Sequence, residues 1–587
     1  MSETACFADE LLWRMLALSP ETAAELGVSA VGARALPQDA IADWSDTASA
    51  ARDGLMADSA AAFSRLAPPA VGEDAVTGLV LRYLLGDGLF GALRGRAGHD
   101  FIDNPYPVNH LWGYHPTMLM MLARDHVVLT VEDAQIYIAR LAKLPAGCAG
   151  VIDALLSRAA RGVVAPRFTL EAALADMKAF IAPAPDQNDL VQSFARKLEG
   201  AALASPLRSG FLASAVRLVE GEILPAYRRL MSAVEDQLAL ASEARGYWAL
   251  PDGDAYYAWL LKAQTTTDLT SDAVHRLGLD GIADLHDEIR RRFAALGLAG
   301  DDIGALYAAI EAEPRWRYPE SDAGRTALWS DAVRLMRGYE RSAEALFHTL
   351  PQGSLEMVPV PVGLEESMHT HYTPPSANGA RPGRFSLNLK SARASPRWEL
   401  PTLCAHEGVP GHHLQLALAQ ELPALCEFRR TVVFNAYIEG WAKYAETVPE
   451  SHGWLDDPYA ALGRLRAELY STVNLALDTG IHALRWTRDQ AREFFQRNTG
   501  VSTLFASAIA NRSFVTPGQL CSYKIGMSAM LAARDRFRSA RGARYDIRDF
   551  HACVLGHGAL PLRVLDGVLT AALARPHSSS SASERPS

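Results

Sequence analysis

The stretch at residues 403–415, with the sequence LCAHEGVPGHHLQ, limits what the chain can fold into more than any other feature. It places His406, His412 and His413 within eight residues, beside the carboxylate of Glu407. Neutral imidazole is the commonest metal ligand in proteins, and a carboxylate beside it can act as a general base. The stretch is a lengthened form of His-Glu-x-x-His, in which two histidines hold zinc and the glutamate is the base. It therefore predicts a metal site.

The spacing of these histidines differs from that of the shorter motif. An α-helix turns about 100° per residue, so residues four apart share a face. His412 and His413 instead follow His406 by six and seven residues, and Pro410 disfavours a continuous helix between them. We predict a helix, a bend over residues 408–411 and a second helix, so that either later histidine could reach the metal. The alternative is a Gly-Pro turn with three incidental histidines.

The overall composition excludes several classes of protein. A chain of 587 residues with 49% hydrophobic residues can bury a large core. Its net charge of −10 offers no basic surface for nucleic acid, and no apolar run reaches the roughly 18 residues of a membrane span. The acidic N-terminus lacks the basic start of a signal peptide, and the six scattered cysteines predict reduced thiols in the cytoplasm. The oligomeric state stays open.

Helical patterns dominate the chain and predict a mostly α-helical fold. We predict one unit over residues 1–575, with a helical N-terminal lobe at 1–245 and a catalytic lobe with the metal site at 246–575. The polar residues 576–587 predict a disordered tail.

Two stretches predict short strands near the metal helix. Residues 357–363 contain strand-forming residues, but their two prolines confine that strand to a sheet edge. Residues 384–389 alternate as a strand does, and the intervening residues 369–383 predict a long, turn-rich loop. A short edge strand beside the metal helix is where a peptide could add by β-pairing.

A third metal ligand is needed, because catalytic zinc usually takes three protein ligands. The stretch FNAYIEGWAKYAE at residues 434–446 offers Glu439, which apolar and aromatic residues surround on most of the helical turn. Glu446 is seven residues further, shares that face and is the reserve ligand. The alternative is that Glu439 and Lys443 form a surface ion pair four residues apart.

Two further motifs could carry catalytic groups. Asp478 and His482 are four residues apart on a predicted helix, where the carboxylate could fix the histidine tautomer. Tyr523, in SYKIG at residues 522–526, could donate to the oxyanion of a tetrahedral intermediate. The alternatives are a helical surface pair for the first motif and a core tyrosine for the second.

Together these stretches resemble the bacterial domain-of-unknown-function 885 family, over residues from about 8 to 570. The resemblance is carried by HEGVPGHH at 406–413, IEGWA at 438–442, DTGIH at 478–482, SYKIG at 522–526 and GALPL at 558–562. Two upstream stretches also fit, GRFSLN at 383–388 and LPDG at 250–253.

The resemblance implies a large helical, metallopeptidase-like fold with a deep cleft, similar to the gluzincin group. In gluzincins two histidines and a downstream glutamate hold zinc. Carried over, one zinc ion per chain would be held by His406, His412 and Glu439, with Glu407 as the base. The family motif keeps the first histidine of the closing pair more strictly, so His413 becomes a reserve ligand.

We therefore expect a zinc-dependent hydrolase that cleaves an amide bond in a short peptide or peptide-like molecule. Glu407 would take a proton from the attacking water and pass it to the leaving amine, and Tyr523 or His482 would stabilise the oxyanion. The alternatives are a metallohydrolase of a non-peptide amide or ester and a binding protein with a vestigial metal site. The candidate substrate-binding residues are Arg384, Asn388 and Lys524.

Overall fold

Helices form most of the structure, which confirms the predicted class. The structure is a computed structural model, and it describes residues 2–67, 69–86, 104–243, 245–360, 365, 369–377, 379 and 381–574. The tail predicted to be disordered lies outside these residues, as does the end of the first predicted strand.

The first ten helices make up the N-terminal part of the chain. Polar residues cap several of their ends: the Thr130 side chain accepts from the backbone of Asp133, whose own side chain bonds back to the Thr130 N–H. The helices are α1 Glu3–Leu18, α2 Pro20–Leu26, α3 Asp46–Phe63, α4 Glu73–Gly86, α5 Tyr114–Met120, α6 Val131–Ala160, α7 Arg167–Ile181, α8 Asp189–Gly200, α9 Ser205–Leu218 and α10 Leu224–Leu240.

Fifteen further helices follow in the described chain and include the metal motif. They are α11 Gly253–Thr265, α12 Ser271–Ala295, α13 Ile303–Ala312, α14 Asp322–Ala343, α15 Leu400–Glu407, α16 His412–Glu421, α17 Glu427–Thr431, α18 Asn435–Ala445, α19 Val448–Ser451, α20 Pro458–His482, α21 Arg488–Thr499, α22 Thr503–Val515, α23 Gln519–Arg541, α24 Ile547–Leu555 and α25 Leu562–Ala574. No helix of the described residues combines the length and apolarity needed to cross a membrane.

Two small sheets complete the described fold. A hairpin joins β1 Ala30–Val31 and β2 Arg34–Ala35, and a three-stranded sheet contains β3 Leu355–Pro359, β4 His371–Thr373 and β5 Gly383–Leu387. In that sheet β5 is central, parallel to β3 and antiparallel to β4.

The sheet confirms a strand in each of the two predicted stretches, as β3 and as the central strand β5, and corrects the stretch between them. β3 lies at an edge, as its prolines predict. The second edge is β4, which lies inside the stretch that was expected to be a loop. Three residues are too few to show the alternation by which a strand is recognised, so only pairing with β5 reveals it.

The apolar core crosses the predicted boundary between the lobes. One contiguous core extends from Leu11 in α1 to Leu569 in α25 and includes residues of α15, α16 and α18. A second core lies between α12, α13 and α20–α22, around the fully buried Trp398. α20 is buried along nearly its whole length and so forms the support on which α15 and α23 pack.

Candidate metal centre

The bend predicted in the metal motif is present. α15 ends at Glu407, α16 begins at His412, and the Val409–Pro410 peptide bond between them is cis. A Cβ atom at Gly411 would lie 2.0 Å from the carbonyl oxygen of His406, so only glycine allows the chain to fold back this closely. The indole of Trp441 donates to the Pro410 carbonyl over 2.9 Å and ties the bend to α18.

A second close approach brings α18 and α23 together. A Cβ atom at Gly440 would lie 2.5 Å from the backbone of Gly526, so glycine at both positions lets the two helices touch. Glu439 precedes the first glycine and Tyr523 lies three residues before the second. The contact therefore holds the candidate ligand and the candidate oxyanion donor side by side.

Three predicted ligands converge at this point. His406, His412 and Glu439 each offer one ligand atom, and these atoms all lie within 4.8 Å of one another. Oε2 of Glu439 is 3.6 Å from Nε2 of His406 and 3.5 Å from Nε2 of His412. These distances exceed the 2.7–3.2 Å of a good hydrogen bond. They are close to the separation of about 3.4 Å that neighbouring ligands have around tetrahedral zinc.

Buried atoms without partners support the same interpretation. Oε2 of Glu439 and Nδ1 of His412 are inaccessible to solvent and make no hydrogen bond to a described residue. Burying such an atom without a partner is costly. A cation between the three side chains would compensate Oε2, and the mixed nitrogen and oxygen donors suit zinc.

Glu446, the reserve ligand, has a different position. Its carboxylate lies 2.9 Å from Nδ1 of His406, on the far side of the ring from Glu439, and it accepts from Lys443 over 2.5 Å. Burial opposes a charge on the imidazole, but the carboxylates of Glu439 and Glu446 raise the pKa of His406 to about 10. Glu446 thus orients the ring and leaves Nε2 directed towards the centre.

Glu407 lies beside the cluster and is only 8% exposed. Burial raises the pKa of its carboxyl, although the charges of His406 and His412 oppose that rise. The backbone N–H of Tyr372 also opposes the rise, which places the Glu407 carboxylate near the edge strand β4. The pKa of the Glu439 carboxyl changes in the opposite direction: burial would raise it, but the two facing imidazoles hold it below its usual range.

Tyr523 reaches the same cluster. Burial raises the pKa of Tyr523 to about 12, and the charge of Glu439 beside the hydroxyl acts in the same direction. The phenol therefore stays protonated at neutral pH and keeps a proton to donate. Gln519, which no sequence motif identified, lies four residues before Tyr523 on α23, a spacing that would place both side chains on one helical face.

His482 is not available for the catalytic role that was expected of it. It is completely buried, Nδ1 accepts from the backbone N–H of Tyr247 over 3.0 Å, and Nε2 lies 2.9 Å from the carbonyl of Ser513. With both nitrogens occupied, the ring has no N–H left for an oxyanion. Burial also lowers the pKa of His482 and keeps it neutral.

Asp478 shares this structural role. Its carboxylate accepts from the hydroxyls of Tyr257 and Ser513 and from the backbone N–H of Gly518, over 2.8, 2.9 and 2.9 Å. It therefore joins α11, α20 and the turn between α22 and α23. The Asp-x-x-x-His motif is a buried hydrogen-bonding centre, which neither the catalytic prediction nor the surface-pair alternative describes.

His413, the other reserve ligand, also faces away from the cluster. Its Nδ1 is 3.0 Å from the hydroxyl of Tyr372, and the ring donates to the carbonyl of Gly353. Burial lowers the pKa of His413 to about 4, so the ring is neutral. It connects α16 to the sheet, and the choice that the sequence left open falls on His412 as the histidine of the cluster.

The three candidate substrate-binding residues are bonded to other parts of the protein. Arg384 pairs with Glu356 across β5 and β3 over 2.9 Å, and Lys524 pairs with Glu468 over 2.6 Å. The amide of Asn388 donates to the carbonyl of Glu365 over 2.8 Å and so shapes a loop. None of these contacts was visible in the sequence, because the partners lie 23 to 56 residues away.

Comparison with known proteins adds a family and a fold. The model of the family described as "Bacterial protein of unknown function (DUF885)" matches residues 20–569. The structure of the "putative lipoprotein" from Colwellia psychrerythraea matches with a TM-score of 0.92 and 27% identity, covering 97% of this chain and 98% of that one.

A second solved structure shares the fold at lower identity. The "putative lipoprotein of unknown function" from Shewanella oneidensis matches with a TM-score of 0.71 and 15% identity, over 97% of this chain and 100% of the other. No curated protein matches the sequence. Since the family model covers nearly the whole chain, this protein belongs to the bacterial family of unknown function DUF885.

Proposed function

We propose that this protein is a zinc-dependent hydrolase that cleaves an amide bond in a short peptide or peptide-like molecule. The observation that carries the proposal is the convergence of His406, His412 and Glu439, at separations that suit one zinc ion. Three protein ligands leave a coordination position open, as catalytic zinc sites do. Bound there, zinc would supply Lewis acidity towards the amide carbonyl.

Glu407 is the general base in this proposal. Its carboxylate lies beside the three ligands and near the backbone N–H of Tyr372. Burial raises its pKa and brings it closer to the neutral range in which a group can both accept and return a proton. Glu407 would take a proton from the attacking water and deliver it to the nitrogen of the leaving amine.

Tyr523 is the oxyanion donor. Its hydroxyl lies beside Glu439, where its O–H can turn towards the substrate during the reaction. A hydroxyl needs only a rotation about its C–O bond for that change. Gln519 lies one helical turn before Tyr523 on α23, and its side chain approaches the phenol.

The substrate would pass between β4 and the helices α22 and α23, in a deep cleft like that of gluzincins. β4 is an edge strand, and Glu407 lies near its backbone. An extended peptide can add to such an edge through main-chain hydrogen bonds. This arrangement favours a peptide or peptide-like substrate over a compact ester.

We propose a cytoplasmic location, on the basis of cysteine usage. All six cysteines lie in the described residues and none forms a disulfide. The two structural neighbours are described as lipoproteins, which is the opposing observation. Fractionation of the cells that make the protein decides between them, because an anchored protein would sediment with membranes.

The function is tested by metal analysis together with mass spectrometry of a peptide library. The parent protein should bind about one zinc per chain and cleave a subset of peptides. Glu407→Gln keeps the size of the side chain but cannot accept a proton, so it should retain zinc and lose about 10²–10⁴ in rate.

The matched control for this variant is Glu344→Gln, an exposed glutamate at the end of α14 that should behave as the parent. Parental turnover in Glu407→Gln would refute the role of the base. Absence of zinc from the parent after reconstitution would refute the metal centre itself.

A further inference from the structure

A substrate with a free carboxylate needs a cation that the protein does not already neutralise. Arg384 and Lys524, the two cations predicted for this role, each lie in an ion pair with a glutamate. A cation already paired at 2.6–2.9 Å attracts a second carboxylate only weakly, because the two negative charges repel each other. Neither residue is therefore suited to anchor the substrate.

Arg512 in α22 differs from both. It is partly exposed, and it forms no ion pair with a described carboxylate. Its Nη2 donates to Oε1 of Gln519 over 2.8 Å, and its other side-chain N–H groups donate to no described residue. A guanidinium with free donors can take a carboxylate through two parallel hydrogen bonds.

A short path connects Arg512 to the metal centre. Arg512 donates to Gln519, Gln519 lies one helical turn before Tyr523 on α23, and Tyr523 lies beside Glu439. A helical turn rises about 5.4 Å and the Arg512–Gln519 bond adds 2.8 Å, so the guanidinium lies on the order of 10 Å from the Glu439 carboxylate. One residue of extended chain spans about 3.3–3.6 Å, so at most about three substrate residues fit between them.

The residues that lead into β4 indicate the same length for the substrate segment between the metal centre and Arg512. Arg512 lies near His369, whose pKa is lowered by burial and by the charge of that guanidinium. His369 lies just before β4, three residues before Tyr372, whose backbone lies near Glu407. A peptide that runs antiparallel to β4 from Glu407 would therefore bring its C-terminus to Arg512 after about three residues.

We propose that Arg512 binds the C-terminal carboxylate of the substrate, so that the protein removes one to three residues from the free C-terminus of short peptides. This inference rests on the proposed function and names the substrate class of the same site. In the reaction, water adds to the amide, the C–N bond breaks, and the C-terminal product leaves with a free amine and with its carboxylate on Arg512.

The test separates binding from catalysis. Zinc-loaded Glu407→Gln protein is incubated with a tripeptide library in which half of the members end in a free acid and half in an amide. The peptides retained on the protein are counted by mass spectrometry. We expect the free acids to be enriched about 10- to 100-fold, which is the range for one charge-assisted anchor.

Adding Arg512→Met should abolish this enrichment, whereas Arg384→Met, the paired cation, should leave it unchanged. Arg512→Lys keeps the charge but not the two parallel donors, so it should retain part of the enrichment. It also provides an answer if the methionine variant does not fold, because reduced enrichment in Arg512→Lys together with unchanged enrichment in Arg384→Met would still locate the site. Thermal melting confirms folding of each variant.

Equal retention of acids and amides by the Glu407→Gln protein would overturn the inference, as would unchanged enrichment after Arg512→Met. Either result leaves the proposed hydrolase intact, provided that the parent still cleaves peptides. Conversely, enrichment that depends on Arg512 in a protein whose parent cleaves nothing would support the carboxylate site and refute the hydrolase. On active parent protein, the masses of the products should show loss of one to three C-terminal residues.

Discussion

His406 and His482 look alike in the sequence, but the structure gives them opposite roles. Each lies near the end of a helix with a carboxylate close by, and each has a hydrogen-bond partner at Nδ1. Nε2 of His406 faces Glu439 at 3.6 Å, whereas Nε2 of His482 is committed to the carbonyl of Ser513 at 2.9 Å. A ring nitrogen left without a committed partner therefore distinguishes a candidate metal ligand from a structural histidine.

The electrostatics of the two sites differ in the same way. Burial opposes a charge on both rings, but two carboxylates raise the pKa of His406 to about 10, while burial lowers the pKa of His482. The first site concentrates negative charge that can balance a cation. The second holds a neutral ring and bonds it to backbone groups.

We expect the largest effect, a difference in zinc content, between alanine variants of the adjacent histidines His412 and His413. His412→Ala should reduce zinc from about one per chain to almost none, because it removes one of three ligands. His413→Ala should keep the zinc and lose stability, because the hydroxyl of Tyr372 loses its acceptor. Zinc content measured by mass spectrometry of metals checks both, and the reverse pattern would exchange the two assignments.

Tyr523→Phe should cause the next largest effect. Loss of one oxyanion donor costs about 10²–10³ in turnover, while zinc content and fold should persist. The matched control is Tyr437→Phe, which removes the hydroxyl that α18 directs to the carbonyl of Val554. Steady-state kinetics on a peptide found in the library check the prediction, and equal rates in the two variants would return Tyr523 to the core.

Glu446→Gln should weaken the metal centre without emptying it. Removing a carboxylate that orients a histidine ligand typically costs 10–100-fold in metal affinity. Glu450→Gln is the control, since Glu450 pairs with Arg464 and does not contact His406. Competition with a chelator measures both affinities. Unchanged affinity in Glu446→Gln would mean that this carboxylate only pairs with Lys443.

His482→Phe should have the smallest effect on zinc and turnover, both of which should stay parental. It should lower the free energy of unfolding by about 2–5 kcal/mol, because the N–H of Tyr247 and the carbonyl of Ser513 would be buried without partners. Denaturant unfolding measures this loss, and zinc loss in a folded variant would contradict the structural role.

The same variant has a pH signature. The folded-state pKa of His482 lies below its usual value near 6.5, so the unfolded state binds the proton first as pH falls. The neutral ring therefore stabilises the parent fully above about pH 6.5, and that contribution declines below it. His482→Phe has no proton to bind and should lose less stability between pH 6.5 and 5 than the parent does.

Much of the metal motif could be predicted because it depends on local chemistry. Pro410 and Gly411 interrupt a helix wherever they occur, so the bend was predictable from spacing and backbone preference. Glu439 followed from the need for a third ligand and from its apolar surroundings. The precise role of Glu446 was not predictable. Residues seven apart share a helical face, but this spacing does not reveal which nitrogen of His406 the carboxylate approaches.

The substrate-binding residues show the opposite case. Arg384 lies 22 residues before His406 and Lys524 lies beside Tyr523, whereas their neutralisation by Glu356 and Glu468 depends on tertiary contact. Arg512 attracted no attention in the sequence, since it lies 73 residues after Glu439 in an ordinary helical stretch. Its connection to the centre depends on the turn that leads into α23 and sets Gln519 between Arg512 and Tyr523.

The sequence alone determined the helical class, the bend, the chemical types of the candidate ligands and the family resemblance. These features depend on periodicity, backbone preference and the identity of side chains, all of which are local. Only the tertiary structure decided which nitrogens, carboxylates and cations remain without partners. A buried polar group must find a hydrogen bond, and for His406 and His482 those bonds come from residues 40 and 235 positions away.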